Sequence, residues 1–150
     1  MIMPRKATII YIIFVIVCLV GCKQKSKIVK SMNQPSRPVA EIKKDVLLGD
    51  TAAYWELSTA YLDYPPQDFL FWALLMANKY DYSVAYLDVF YSLKDSFNPE
   101  ANNYTFGDMD KKTKAIAIEY LKKAVEREVD GASEVWKSVH QSYPNDTTIK

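Results

Sequence analysis

Apolar residues recur along the chain at steps of three and four, and polar breakers divide them into helix-length stretches; no stretch alternates with a period of two. Val39, Ile42, Val46 and Leu47 predict a short helix over 39–48. Asp50 is a fitting N-cap for a second helix over 51–63, marked by Ala53, Leu57, Ala60 and Tyr61. Pro65 and Pro66 end it, and Pro66 suits the first turn of a third helix over 67–80. From Phe69 to Ala77 that helix is apolar almost all round, so it should be buried on most sides, with Trp72 and Leu75 inside. Asp81 is expected to cap a fourth helix reaching about Leu93, and 94–107, with Asn98, Pro99, Asn102, Asn103 and Gly107, reads as a loop. Asp108 or Asp110 opens the clearest amphipathic helix, striped by Ile116, Tyr120, Leu121, Ala124 and Val125, with Lys122, Lys123 and Arg127 near its negative end. Gly131 breaks it, and a last helix runs from 132 to about 143, before Pro144. The predicted fold is all-α.

The helices also repeat one another. Ala53-Tyr54-Trp55-Glu56-Leu57 matches Ala85-Tyr86-Leu87-Asp88-Val89 at an offset of 32 residues, and Ala53, Leu57, Tyr64 and Pro65 match Ala132, Trp136, Tyr143 and Pro144 at an offset of 79. A short antiparallel array of helix pairs, with one inserted loop, accounts for both intervals. Gly49-Asp50-Thr51-Ala52-Ala53-Tyr54-Trp55-Glu56-Leu57 resembles the first helix of Sel-one-like repeats, which are relatives of tetratricopeptide repeats. The stretch from Lys114 to Glu126 resembles the second. The family's Leu-Gly pair is Leu57-Ser58 here, and 67–80 is more apolar than a family second helix. The resemblance implies a surface that binds proteins or peptides without catalysis. On the first-helix face that lacks the Ala and Leu pattern, it singles out Trp55, Thr59, Tyr91, Lys94, Glu134, Lys137 and Ser138 as candidate partner-binding residues.

The N-terminal part follows another logic. Arg5 and Lys6 precede residues 7–21, which carry no charge, giving the n-region and h-region of a secretory signal. The run is shorter than the roughly 20 apolar residues that span a bilayer. Leu19-Val20-Gly21-Cys22 resembles the lipobox of bacterial lipoproteins, which implies a signal peptide over 1–21 and a lipidated Cys22. Lys23, rather than Asp, at the second position of the mature chain implies an outer-membrane, periplasm-facing lipoprotein. Residues 22–40 hold five basic residues (Lys23, Lys25, Lys27, Lys30, Arg37), no acid, and much Ser, Asn, Gln and Pro, so they read as a flexible tether before a body over 41–150. The tether either lies along anionic lipid or is simply solvated.

Charge and chemistry narrow the function. The chain is near neutral at +1, yet residues 45–150 hold 17 acids against 10 bases, a formal −7 that argues against nucleic acid. Removal of Cys18 with the signal and lipidation of Cys22 would leave the body without a thiol, which excludes disulfides and thiolate metal sites. His140 is the single histidine, so no Ser-His-Asp arrangement beyond it and no His-His metal pair can form in one chain. Asp108-Met109-Asp110, with Asn102 and Asn103, lacks the EF-hand order of ligands. We expect no cofactor and no metal. Asp146-Thr147-Thr148 and Asp50-Thr51-Ala52 resemble a three-residue bacterial O-glycosylation signal, which nominates Thr147, in a polar tail, and Thr51. The expected function is a non-catalytic protein- or peptide-binding lipoprotein of the cell envelope. An immunity-type lipoprotein that sequesters a periplasmic toxin is the alternative, and an enzyme acting on cell-wall glycan is a third reading for which the sequence selects no acid pair.

Overall fold

A computed structural model describes residues 31–96 and 106–149. The signal peptide, Cys22, the first part of the tether and most of the expected loop lie outside the described residues. Six α-helices and one short 3-10 turn make up the described fold, with no strand among them. The fold is all-α, and its helices pack against one another largely in chain order.

Helix α1 (Val39–Leu47) starts behind Pro38, whose φ of −58° already suits a helix entry, and buries Ile42 and Val46, four residues apart on one face. Leu47, expected on that face, is exposed instead. The helix begins inside the stretch read as tether, and residues before it are held to the body. Asn33 Nδ2 donates to Asp63 Oδ1 at 2.8 Å, and Arg37 pairs with Glu56 at 2.8 Å and with Asp45. The tether as expected therefore ends earlier than residue 40, because Arg37 finds the carboxylates of Asp45 and Glu56.

Gly49, at φ +90°, turns the chain; its N–H donates to the Val46 carbonyl at 3.0 Å. Asp50 then caps α2 (Thr51–Tyr61), accepting from the Ala53 N–H at 2.9 Å. Ala53, Tyr54, Leu57 and Ala60 form its buried face. Helix α3 (Gln67–Tyr80) buries Phe69, Ala73, Met76 and Ala77, a single stripe. Phe71 is exposed, and Leu70, Trp72, Leu74 and Leu75 are only half-buried. The expectation of burial on most sides, with Trp72 and Leu75 inside, is thus corrected. Small Ala73 and Ala77 are fully buried on the packed side, and an array this short has too few helices to surround α3. The Lys43 stem covers part of the remainder, placing its ammonium 5.6 Å from the Trp72 ring centre.

Asp81 does not cap the next helix. It ends α3 in a left-handed conformation at φ 51°, its carboxylate accepting from the Tyr86 hydroxyl at 2.7 Å and from Arg127. Tyr82 occupies the N-cap position of α4 (Ser83–Asp95), which buries Ala85, Tyr86, Leu87, Val89, Phe90 and Ser92. Lys94 and Asp95, expected in a loop, finish this helix. Asp110 caps α5 (Lys111–Glu126), accepting from the Lys112 and Thr113 N–H groups at 3.0 and 3.1 Å. Its buried stripe is Lys114, Ala117, Ile118, Leu121 and Ala124, while Ile116 faces out. Ala117 and Ala124 are fully buried, so small residues rather than the larger Ile116 fill the inward face of α5. Gly131, at φ +77°, leads into α6 (Ala132–Ser142). The end of the chain is docked: Ile149 is buried, and Lys114 Nζ pairs with Asp146 Oδ2 at 2.7 Å. That ammonium holds the Asp146 carboxyl well down, at a pKa of about 2.

The offset of 32 residues is visible in the packing. Ala53 and Ala85, Tyr54 and Tyr86, and Leu57 and Val89 are all buried pairs. The third copy holds only in part, since Ala132 is buried but Trp136 is half-buried and stacks on His140 with ring centres 4.1 Å apart.

Candidate functional site

Trp55, Ser58, Thr59 and Leu62 follow steps of three and four on α2, and Asp88, Tyr91, Ser92 and Asp95 do so on α4. The two stripes line one cavity of about 420 Å³, to which Tyr61, Tyr64, Pro66 and Phe69 also contribute. That volume lies in the range of small-ligand and side-chain pockets. The cavity exists because the helices meet here through long side chains. The Tyr54 hydroxyl reaches from α2 to donate to Asp88 Oδ2 at 2.6 Å. The Tyr54 ring is packed edge-on to Tyr82 and tilted against Phe69, with ring centres 5.6 and 5.3 Å apart. Trp55 is fixed in turn by its indole N–H, which donates to the Tyr82 hydroxyl at 2.8 Å. Trp55 is nonetheless 55% exposed, and Tyr91 across the cavity is 38% exposed.

Burial dominates the electrostatics of the cavity floor. It pushes the Asp88 carboxyl above its ordinary range, against the opposing effect of the Tyr54 hydrogen bond. It also raises the Tyr54 hydroxyl, helped by the nearby Asp88 charge, so Tyr54 stays a donor. At the far end of the stripe Asp95 is paired with Lys94 at 2.8 Å, and the Lys94 ammonium stands 5.8 Å from the Tyr91 ring centre.

Of the residues expected to bind a partner, Trp55, Thr59 and Tyr91 line this cavity, and Lys94 stands at its edge. Glu134, Lys137 and Ser138 do not join them. They are exposed on α6, separated from α4 by α5. Asp88 is the residue that sequence reasoning missed. Its signal was an acid framed by apolar Leu87 and Val89 and spaced three and four from Tyr91 and Ser92.

His140 Nδ1 lies 3.0 Å from the Trp136 carbonyl. Among the described residues no group of three or more His, Cys, Asp and Glu side chains could hold a metal ion. Thr51 and Thr147 are both exposed, although the Asp146 that precedes Thr147 is engaged by Lys114 and by the Thr148 N–H at 2.9 Å. Apolar and aromatic walls, one half-buried acid and hydroxyl groups suit this cavity to holding a side chain or short segment of another molecule. No protein-family profile matches the chain, and neither curated proteins nor solved structures yield a match.

Proposed function

We propose that the chain is a lipid-anchored, non-catalytic binding protein of the bacterial envelope, which holds a protein or peptide partner in the groove between α2 and α4. The observation that carries the reading is the exposure of Trp55 and Tyr91 on either side of a 420 Å³ cavity whose frame is otherwise fixed. Tyr and Trp are the residues that most often dominate binding energy at interfaces. The Sel-one-like resemblance supports the same reading, since equal burial of Ala53 and Ala85 and of Leu57 and Val89 is what stacked repeats require. Leu19-Val20-Gly21-Cys22 and the basic residues after it support anchoring through Cys22 at the outer membrane, with the body in the periplasm.

The immunity-type role remains the second reading, favoured by the −7 charge of residues 45–150, which suits a basic toxin. A gene for a secreted toxin next to this one would favour it over a scaffold. The test of binding itself is a pull-down from a membrane extract with wild type and with Trp55→Ala. A protein retained by wild type and lost from the variant is the expected result. Equal retention would remove the groove as the binding surface.

A further inference from the structure

The groove carries a charge preference as well as a shape. Asp88 at its floor has one hydrogen-bond donor among the described residues, the neutral Tyr54 hydroxyl at 2.6 Å, and no Lys or Arg among them pairs with it. A half-buried carboxylate is stabilised by a cation or by several donors. Other acids of the chain do have a cation. Asp95 is matched by Lys94, Asp81 by Arg127, and Glu56 by Arg37. Glu56 is also the counterpart of Asp88 at the repeat offset of 32, so the first copy has its cation and the second lacks one.

The walls favour the same kind of ligand. Trp55 and Tyr91 line the groove, and the faces of such rings carry negative potential and attract cations. The chain already makes such an arrangement at the groove's edge, where the Lys94 ammonium lies on the Asp95 carboxylate and near the Tyr91 ring. The excess of acids over 45–150 would draw a basic partner in.

We propose that this groove takes an arginine or lysine side chain from a protein partner, with its charged head on Asp88 and its stem against Trp55 and Tyr91. The inference rests on the partner-binding reading above and names the chemistry that reading leaves open.

The test uses the full chain in a neutral detergent, titrated with short alanine-based peptides whose central residue is arginine, lysine, citrulline or norleucine. Binding is followed by the nuclear magnetic resonance shift of the Trp55 indole N–H. The arginine and lysine peptides are expected to move that signal, with the neutral peptides about tenfold weaker or more. Asp88→Asn, which keeps the side-chain shape, should abolish the preference for charge. Asp95→Asn should leave it, because Asp95 already has Lys94. Choline serves as a free cation, and tighter binding of choline than of the arginine peptide would overturn a protein source. Equal binding of the arginine and citrulline peptides, or an unchanged preference in Asp88→Asn, would overturn the inference while leaving an apolar peptide groove intact. No shift at Trp55 with any basic peptide would also overturn it. The pull-down with Trp55→Ala does not depend on charge, so the two readings fail separately.

Discussion

The turn at Gly49 offers a quantitative check of how the first helices are clamped together. Gly49 and Gly131 both sit at positive φ, +90° and +77°, so an alanine at either site meets the same kind of backbone strain. That strain costs about 1 to 2 kcal/mol, offset by roughly 0.4 to 1 kcal/mol from the stiffer unfolded chain, which leaves a net loss near ~1 kcal/mol. The surroundings then separate the two. A Cβ at Gly131 meets nothing within 4 Å, whereas one at Gly49 comes 2.6 Å from two ring carbons of Tyr80. The ring is a rigid plate, so it must swing as a whole, at the roughly 1 to 3 kcal/mol typical of overpacking. It also loses the hydrogen bond from its hydroxyl to the Leu47 carbonyl, about 0.5 to 1.5 kcal/mol. Gly49→Ala should therefore lose about 4 kcal/mol and Gly131→Ala about 1 kcal/mol, or roughly 16 and 4 °C in Tm for a domain of this size. Thermal melts followed by far-ultraviolet circular dichroism measure both. Equal losses in the two variants would mean that Tyr80 does not lie over Gly49, and that α3 does not lock the α1–α2 turn.

Three further outcomes follow from particular contacts. Because burial raises the Asp88 carboxyl, its ionised form is disfavoured in the fold: the penalty is absent below the ordinary carboxylate pKa and sets in as pH rises through the folded value. Asp88→Asn should accordingly melt higher than wild type at neutral pH and alike in acid, and a lower melting point at neutral pH would contradict the assignment. Met76→Ala, at a fully buried position, should cost about 2 to 5 kcal/mol in chemical denaturation, and Leu75→Ala, half-buried, clearly less; the reverse order would mean that α3 faces the other way. Cys22→Ser should leave the precursor uncleaved and unlabelled by a fatty-acid probe, whereas normal labelling would remove the lipoprotein reading.

Local chemistry was the most legible part of the sequence. Asp50 and Asp110 cap helices as expected, because an N-cap is satisfied within three residues and needs no tertiary information. Asp81 has the same residue type but a left-handed backbone, and its carboxylate is taken by Tyr86 and by Arg127, 46 positions away. Nothing local announces that. The apolar run of α3 was legible as a helix, while the number of helices around it was not, so Phe71 ended exposed. In α5 a count of hydrophobic residues favoured Ile116, but the inward face holds Ala117. The repeat pattern brought Trp55, Thr59 and Tyr91 to one face because it records which side each helix turns inward. It said nothing of Asp88, whose importance lies in lacking the cation that its counterpart Glu56 has.

The central claim is that the α2–α4 groove is where a partner sits. The most direct measurement is photo-cross-linking in living cells of the host, with a benzophenone side chain placed singly at Thr59, inside the groove, and at Ser138, exposed on α6. The account predicts a discrete light-dependent adduct from Thr59 that disappears when Trp55→Ala is added, and none from Ser138. An adduct from Ser138 with none from Thr59 would place the partner on α6 and contradict the claim.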